Sequence, residues 1–527
     1  MGLDKEIIRQ AHEINKSLHE NSSQYIHTRP VALSESGLIL PGKVRHPFKI
    51  TYDLKDLFTI GALTESSILM TGGTDLGKTT LALLAMNSLF GQEEKGWHKI
   101  DLDRDFGKDV YSKVDFSALT EGKTSEELYT ATRFLYLPGL ILDEINRLHA
   151  KLGNKLLHFF DKDIALPNGQ RIKLGAALDN GKTYQFQIAA INEGDEYEGV
   201  FDMDKAMRRR TVIEIPMDVF TPTEEDREII RGQESKDVQL KNETNHLEKI
   251  LQVYKMVKKI PLHPTANMFV AYLEAFDYCK NSPTKEKGGV ASRNGSVYHI
   301  CTKPVRVGGQ ASPSDLIGCE FLRTFENELC PYVKGLTPGV SKNLISVAKG
   351  FALLRATKFV ELIAGYLGRE QETTNYAVKD PEKFKQSLKQ YSNTNHEGKE
   401  LAKAVIEKYF RNLEVEIGDV ESAAGFVGYS KMGISNLWTL KHYQGNRYMA
   451  VKNFCREARE KLEEGLVRPE MSELVTLLKG EGNQKQVQEV KAYCDSQNPW
   501  LWKTLTPYLN KEKKSVDEKK VLELYHE

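Results

Sequence analysis

The segment Gly72-Gly73-Thr74-Asp75-Leu76-Gly77-Lys78-Thr79-Thr80 fits the pattern G-x-x-x-x-G-K-[ST]. The apolar run Ser67-Ile68-Leu69-Met70 precedes it, and the helix-like Leu81-Ala82-Leu83-Leu84-Ala85-Met86 follows. A strand, a glycine loop and a helix start in that order commit this part of the chain to an α/β unit. The glycines let the backbone curl until its N–H groups face a phosphate. The helix start adds the positive end of its dipole. In such a loop Lys78 reaches the β and γ phosphates, and the Thr79 hydroxyl ligates Mg²⁺.

Short apolar runs recur at Ile68–Met70, Leu140–Leu142, Ile188–Ile191 and Val212–Ile215, read as ending in Gly, Asp or Asn and each followed by a helical stretch. That alternation predicts a parallel sheet covered by helices. Residues 1–47 read as one amphipathic helix followed by a loop rich in Pro and Gly. Beyond Pro222 the chain reads as mostly helical. Leu247, Ile250, Leu251, Tyr254 and Val257 share one helix face, and Asn245 with Glu248 has the spacing of a capping box. Leu344, Val347, Ala348, Phe351 and Leu354 form a second core stripe. Residues 281–313 read as loop and residues 366–400 as a linker. With 527 residues the chain exceeds a single compact core of roughly 250–300 residues. The expected domains are an N-terminal helical segment (1–47), a nucleotide-binding core (48–218), a helical lid with an insertion (219–365) and a helical C-terminal domain (366–527).

The composition narrows the function classes. Lys+Arg and Asp+Glu both total 73, so the formal charge is zero, which disfavours a polybasic nucleic-acid binder. No apolar run reaches membrane-spanning length, and the polar N-terminus lacks a signal-peptide core; membrane insertion is not expected. Glu6 stands where a myristoylation signal needs Ser or Thr. The 6 cysteines form no C-x-x-C pair, and His299 with Cys301 has no metal-site spacing. Reduced thiols in a cytoplasmic protein are the expectation.

A second motif follows the loop: Leu140-Ile141-Leu142-Asp143-Glu144-Ile145-Asn146-Arg147. An apolar strand here delivers two adjacent carboxylates to its C-terminal end, where open α/β sheets bind ligands. Asp143 is the candidate Mg²⁺ residue and Glu144 the general base that polarises an attacking water. Asn192 ends a further apolar run. Arg208, Arg209 and Arg210 precede another.

Leu-Asp-Glu-Ile-Asn-Arg resembles the second nucleotide motif of AAA+ ATPases of the MoxR type. The motif also occurs in the related GTP-driven motor subunit of Mcr-type restriction systems. Phe160–Ile172, with its Pro-Asn-Gly turn, is similar to the hairpin these families insert before their sensor strand, and Ala189–Asn192 resembles that strand. Ala206-Met207-Arg208-Arg209-Arg210, followed by Val212–Ile215, resembles the segment that carries an arginine finger. The resemblance makes Arg210 the finger, with Arg209 next. Residues near 105–136 would correspond to a pore-facing insertion. Gly339-Val340-Ser341-Lys342-Asn343 is similar to the start of the MoxR lid helix, with Asn343 where the family has its second sensor Arg and Lys342 beside it. Thr211 replaces the usual Phe, and the phosphate loop lacks the usual Pro.

The resemblance covers residues 48–218. It implies ATP as the nucleotide, Mg²⁺ as cofactor, a homo-oligomeric ring that is most often a hexamer, and remodelling of a client protein. The client can carry a von Willebrand A-type domain. Two other readings stay open at the level of sequence. One is a nucleic-acid translocase of the Mcr type, driven by GTP or ATP. The other is a non-catalytic nucleotide switch or scaffold.

Overall fold

The computed structural model describes residues 5–21, 29–40, 44–101, 112–114, 129–147, 157–193, 203, 205–232, 244–275, 333–368, 376–378, 381–392, 413–434 and 436–466, with 485, 488 and 492. These residues fall in two compact units. The first takes 1–261 and 343–430, the second 262–342 and 431–527.

The first unit is built on a five-stranded sheet. The loop strand Ile68–Thr71 has the strand Phe186–Ala190 on one side and the last strand, Ile213–Pro216, on the other. Phe186–Ala190 pairs in turn with the acidic strand Gly139–Asp143, and Trp97–Asp101 closes that edge. Every pairing is parallel. Every residue of the inner three strands and of Ile213–Pro216 is buried, which is why these strands read as mainly apolar runs, with Gln187 and Glu214 as buried polar residues within them. The α/β core expected from the alternation is therefore present. Trp97–Asp101 was not anticipated: its Trp-His-Lys-Ile-Asp mixes polar and apolar side chains because the strand lies at an edge and is only partly covered.

The helix Lys5–Asn21 forms as its periodicity predicts, burying Ile7, Ile8, Ala11, Ile14 and Leu18. It packs on the helix Leu247–Val257, where Gln10 meets Gln252 at 2.7 Å and Glu13 meets Lys249 at 2.7 Å. The loop predicted after it does not hold: Ala32–Leu40 and Val44–Tyr52 form an antiparallel hairpin, and Tyr376–Val378 adds a third strand. The Pro and Gly that suggested a loop punctuate the hairpin, with Pro47 opposite Gly37 in its register. The linker expected over 366–400 likewise contains this strand and the helix Pro381–Ser392. Among the described side chains of that helix, Phe384 and Leu388, four residues apart, are the buried ones, and its sequence is rich in charge. Leu344, Val347, Ala348, Phe351 and Leu354 are all fully buried, as their stripe predicts. The capping box expected for Leu247–Val257 does not form. His246 is the N-cap, and Asn245 Oδ1 accepts from the Leu247 N–H at 2.9 Å instead. The hairpin expected within 160–172 is present as Asp163–Ala165 paired with Arg171–Lys173. Its turn is closed by Leu166 N–H to Gln170 O at 2.8 Å, with Gly169 at φ 84°.

Ion pairs bind the outer elements of this unit. Arg355, 1% exposed, meets Asp419 at 3.0 Å and Glu416 at 3.0 Å, tying Pro338–Gly368 to Ile417–Val427. His19 has an acceptor at each ring nitrogen: Asn15 O lies 2.8 Å from Nδ1 and Asp53 Oδ2 3.1 Å from Nε2. Only the imidazolium can donate to both. Burial pulls the His19 pKa down. The hydrogen bond and charge of Asp53, the charge of Asp56 and the Asn15 carbonyl outweigh it, and the net shift is upward. A raised folded-state pKa stabilises fully below the unfolded value, about 6.5, and the contribution is lost as pH rises through the folded one. Amide protection of Lys5–Asn21, corrected for intrinsic exchange, is expected to fall as pH rises from about 6 through that window. His19→Asn should remove the dependence. Protection that rose with pH would contradict this role of His19.

Among its described residues the second unit is helical, apart from a two-stranded pairing of Val333–Lys334 with Gly433–Ile434. Pro264–Ala275 packs on Arg447–Leu466, which also contacts Asn436–Tyr443. Ala266, Phe269, Leu273, Val451, Phe454 and Ala458 are buried. Cys455 is a buried free thiol; the cysteines at 279, 301, 319, 330 and 494 lie outside the described residues. So do His299 and the segment 281–313. Of 105–136, only 112–114, paired with 129–131, and 129–136 are described. No described helix is long and apolar enough to cross a membrane.

Candidate functional site

The loop strand ends at Thr71, and the chain turns through Gly72 (φ 132°), Asp75 (φ 59°) and Gly77 (φ 75°) before the helix Lys78–Phe90 begins. These left-handed residues turn the loop sharply, and Gly77 serves as N-cap without a capping side chain. The first intrahelical bond runs from Leu81 N–H to Gly77 O at 2.9 Å. The amides of Lys78, Thr79 and Thr80 thus lie ahead of that bond, among the donors a helix start leaves for an anion. Lys78 is only 7% exposed. Its ammonium donates to Gly72 O at 2.8 Å and to Gly73 O. Burial pulls its pKa down, against Asp218, Asp143, Asp75 and Glu144, whose charges pull it up. Thr74 and Asp75 are exposed at the loop tip.

Asp143 is the last residue of the acidic strand. Thr79 Oγ1 lies 3.2 Å from its Oδ2, and Lys99 Nζ lies 2.8 Å from the same oxygen. A hydroxyl and a carboxylate side by side are hard oxygen donors, the set Mg²⁺ takes alongside phosphate oxygens and water. The residues present therefore fit the metal. Glu144 follows in the left-handed region at φ 54°, partly buried, with Arg147 Nη2 3.2 Å from its Oε1. A non-glycine residue there is uncommon, and it turns the second carboxylate out of the line of the strand. Arg147 thus pairs with Glu144 within its own turn.

Asn192 reaches the same end of the sheet just past the inner strand Phe186–Ala190. Ile191 N–H bonds Met70 O at 3.0 Å and Glu193 N–H bonds Gly72 O at 3.3 Å, so Asn192 lies alongside the start of the phosphate loop. Buried Asn146 donates to Asn192 O at 2.5 Å and ties the acidic turn to it. The Asn192 side chain makes no hydrogen bond among the described residues.

The arginines divide. Arg208 turns inward to Glu214 at 2.8 Å and to Glu193. Arg210 donates from Nε to Asp161 Oδ1 at 2.7 Å and from Nη1 to Ala206 O at 3.2 Å. Arg209 is exposed. Thr211, in place of Phe, is fully buried and donates to Arg208 O at 2.9 Å. Lys342 belongs to the second unit and Asn343 to the first.

The fold thus gathers Gly72–Thr80, Asp143, Glu144 and Asn192 at the C-terminal ends of the inner strands. It adds two residues that sequence reasoning missed. Lys99 arrives because Asp101 pairs with Asp143, which brings its strand level with the acidic one. Asp218 Oδ1 accepts from Gly73 N–H at 3.1 Å, just past the end of the last strand. Neither carries a local signal; both depend on register.

No known family description and no curated protein matches the sequence. Among solved structures, the chain is similar to a candidate ATPase from Cytophaga hutchinsonii, with 13% identity and a TM-score of 0.40 over 77% of this chain and 96% of that one. It is also similar to a full-length MCM homologue from Methanopyrus kandleri, with 11% identity and a TM-score of 0.34 over 79% of this chain and 63% of that one. Likeness at this level adds nothing to what the residues themselves say.

Proposed function

We propose that this chain is a Mg²⁺-dependent nucleoside triphosphate hydrolase of the AAA+ class, using ATP. The observation that carries the reading is one cluster: Lys78 and Thr79 open a helix after a glycine loop, Thr79 lies 3.2 Å from Asp143, and Glu144 is the next residue. Lys78 and the amides of Gly73 to Thr80 would hold the phosphates. Thr79 and Asp143 would hold Mg²⁺, which neutralises phosphate charge when bound. Glu144 takes the proton of the attacking water. Asn192 offers its amide beside the loop as the first sensor.

The finer proposal follows the MoxR resemblance. The chain assembles as a homo-oligomeric ring, a hexamer with its sites at subunit interfaces, is cytoplasmic, and remodels a client protein that can carry a von Willebrand A-type domain. Residues 48–218 form the nucleotide core, 219–365 a lid with Lys342 at the second sensor position, and 366–527 a C-terminal domain. Arg210 is the finger offered to a neighbouring subunit, which requires it to leave Asp161; exposed Arg209 is the other candidate.

Mixing two inactive variants tests the shared site. Arg210→Ala keeps its own phosphate loop but offers no finger, and Lys78→Ala does the reverse. Mixed rings contain interfaces where an intact loop meets an intact Arg210. A finger contributes roughly 10³–10⁵ in rate, so a minority of such interfaces is visible. The expected result is an ATPase rate that peaks near equal amounts. A rate that stays at background, with mixed rings verified by mass photometry, would remove Arg210 as a trans-acting group. Strong, salt-sensitive stimulation by DNA would turn the reading toward a translocase.

A further inference from the structure

The last strand delivers a carboxylate to the phosphate loop. Pro216 pairs with Thr71, and Met217 N–H bonds Thr71 O at 2.8 Å. The chain then turns, with Val219 N–H bonding Pro216 O at 3.0 Å and Phe220 N–H bonding Met217 O at 3.1 Å. Asp218 sits on that turn, level with Gly73. Its Oδ1 accepts from the Gly73 N–H at 3.1 Å, and a Cβ built on Gly72 would lie 2.7 Å from its Oδ2. Both carboxylate oxygens therefore lie against the loop. Of the charges acting on Lys78, that of Asp218 is the largest.

A loop amide and a lysine are the donors that such a loop offers to phosphate oxygens. Asp218 presents an oxygen of the same kind to one of these donors, the Gly73 amide, and acts on the other, Lys78, through its negative charge. A phosphate entering the loop must either displace Asp218 from Gly73 or share the site with its charge, and both weaken binding. Asp218 is exposed on its turn, so it can rotate into water. We propose that Asp218 is a built-in competitor for the phosphate loop that sets the chain's affinity for nucleoside triphosphates. This rests on the reading of Gly72–Thr80 as a phosphate site.

The test is a binding titration of the full chain with a fluorescent, non-hydrolysable ATP analogue and Mg²⁺, at about 50 mM and about 500 mM salt. Asp218→Ala and Asp218→Asn are each expected to tighten binding by roughly threefold to tenfold at low salt, given an exposed charge. The gain should shrink at high salt. Asn keeps an acceptor oxygen without the charge, so a gain in both variants identifies charge as the cause. Lys78→Ala, run beside them, separates the two levels of the account. Binding that is lost in Lys78→Ala but unchanged or weakened in both Asp218 variants overturns the proposal alone. Binding absent from wild type and from both Asp218 variants overturns the phosphate-site reading and the proposal with it. Binding seen only once Asp218 is removed supports both.

Discussion

Glu144→Gln is expected to bind Mg²⁺-ATP with near wild-type affinity and to hydrolyse it about 10²–10⁴ times more slowly, the span attributed to a positioned general base. Gln nearly matches Glu in shape but cannot take a proton from water. The side chain follows the fully buried strand Gly139–Asp143 and is only partly buried itself, so the substitution leaves the core packing alone. Its backbone sits at φ 54°, a conformation the amide tolerates as well as the acid does. Asp143 keeps its contacts with Thr79 and Lys99, so metal and phosphate binding should persist. Turnover at the wild-type rate would reassign the base. The slow variant is also the natural bait for a client, because it holds the nucleotide-bound state.

Lys78→Ala is expected to weaken triphosphate binding by about 2–5 kcal/mol, from tens to thousands of times in Kd. The ammonium is buried at the mouth of the loop, where it donates to Gly72 O at 2.8 Å and to Gly73 O. Removing it takes away a positive charge in a poorly solvated place, the condition under which a charge counts most. Its bonds go to the loop's own carbonyls, and the three inner strands do not depend on it. The variant should therefore fold. Near-normal affinity would mean that the loop does not hold phosphate.

Much of the site was legible because its signals are local. The loop needs Gly, Lys and Thr at fixed offsets between a strand and a helix, and Asp143-Glu144 needs only an apolar strand before it. The inner strands were legible because burial on both faces leaves a largely apolar run. The hairpin Ala32–Tyr52 was not, because its Pro and Gly look like loop until the pairing partner is known. Trp97–Asp101 was not, because an edge strand keeps polar residues. Lys99 and Asp218 could not be read at all. Each reaches the site through parallel register, Asp101 beside Asp143 and Pro216 beside Thr71, and no spacing in the sequence encodes which strands are neighbours. The cap at His246 shows a smaller failure of the same kind. Asn245 and Glu248 had the right spacing, but Asn245 also forms a bridge with Phe90, and the helix starts one residue later.

The most direct measurement of the central claim is release of inorganic phosphate from ATP by the purified chain across a Mg²⁺ titration, with Lys78→Ala run in parallel. The account predicts release that requires Mg²⁺ in the wild type and is lost in Lys78→Ala. Release at equal rates from both proteins, or none from the wild type at saturating Mg²⁺-ATP or Mg²⁺-GTP, would contradict it.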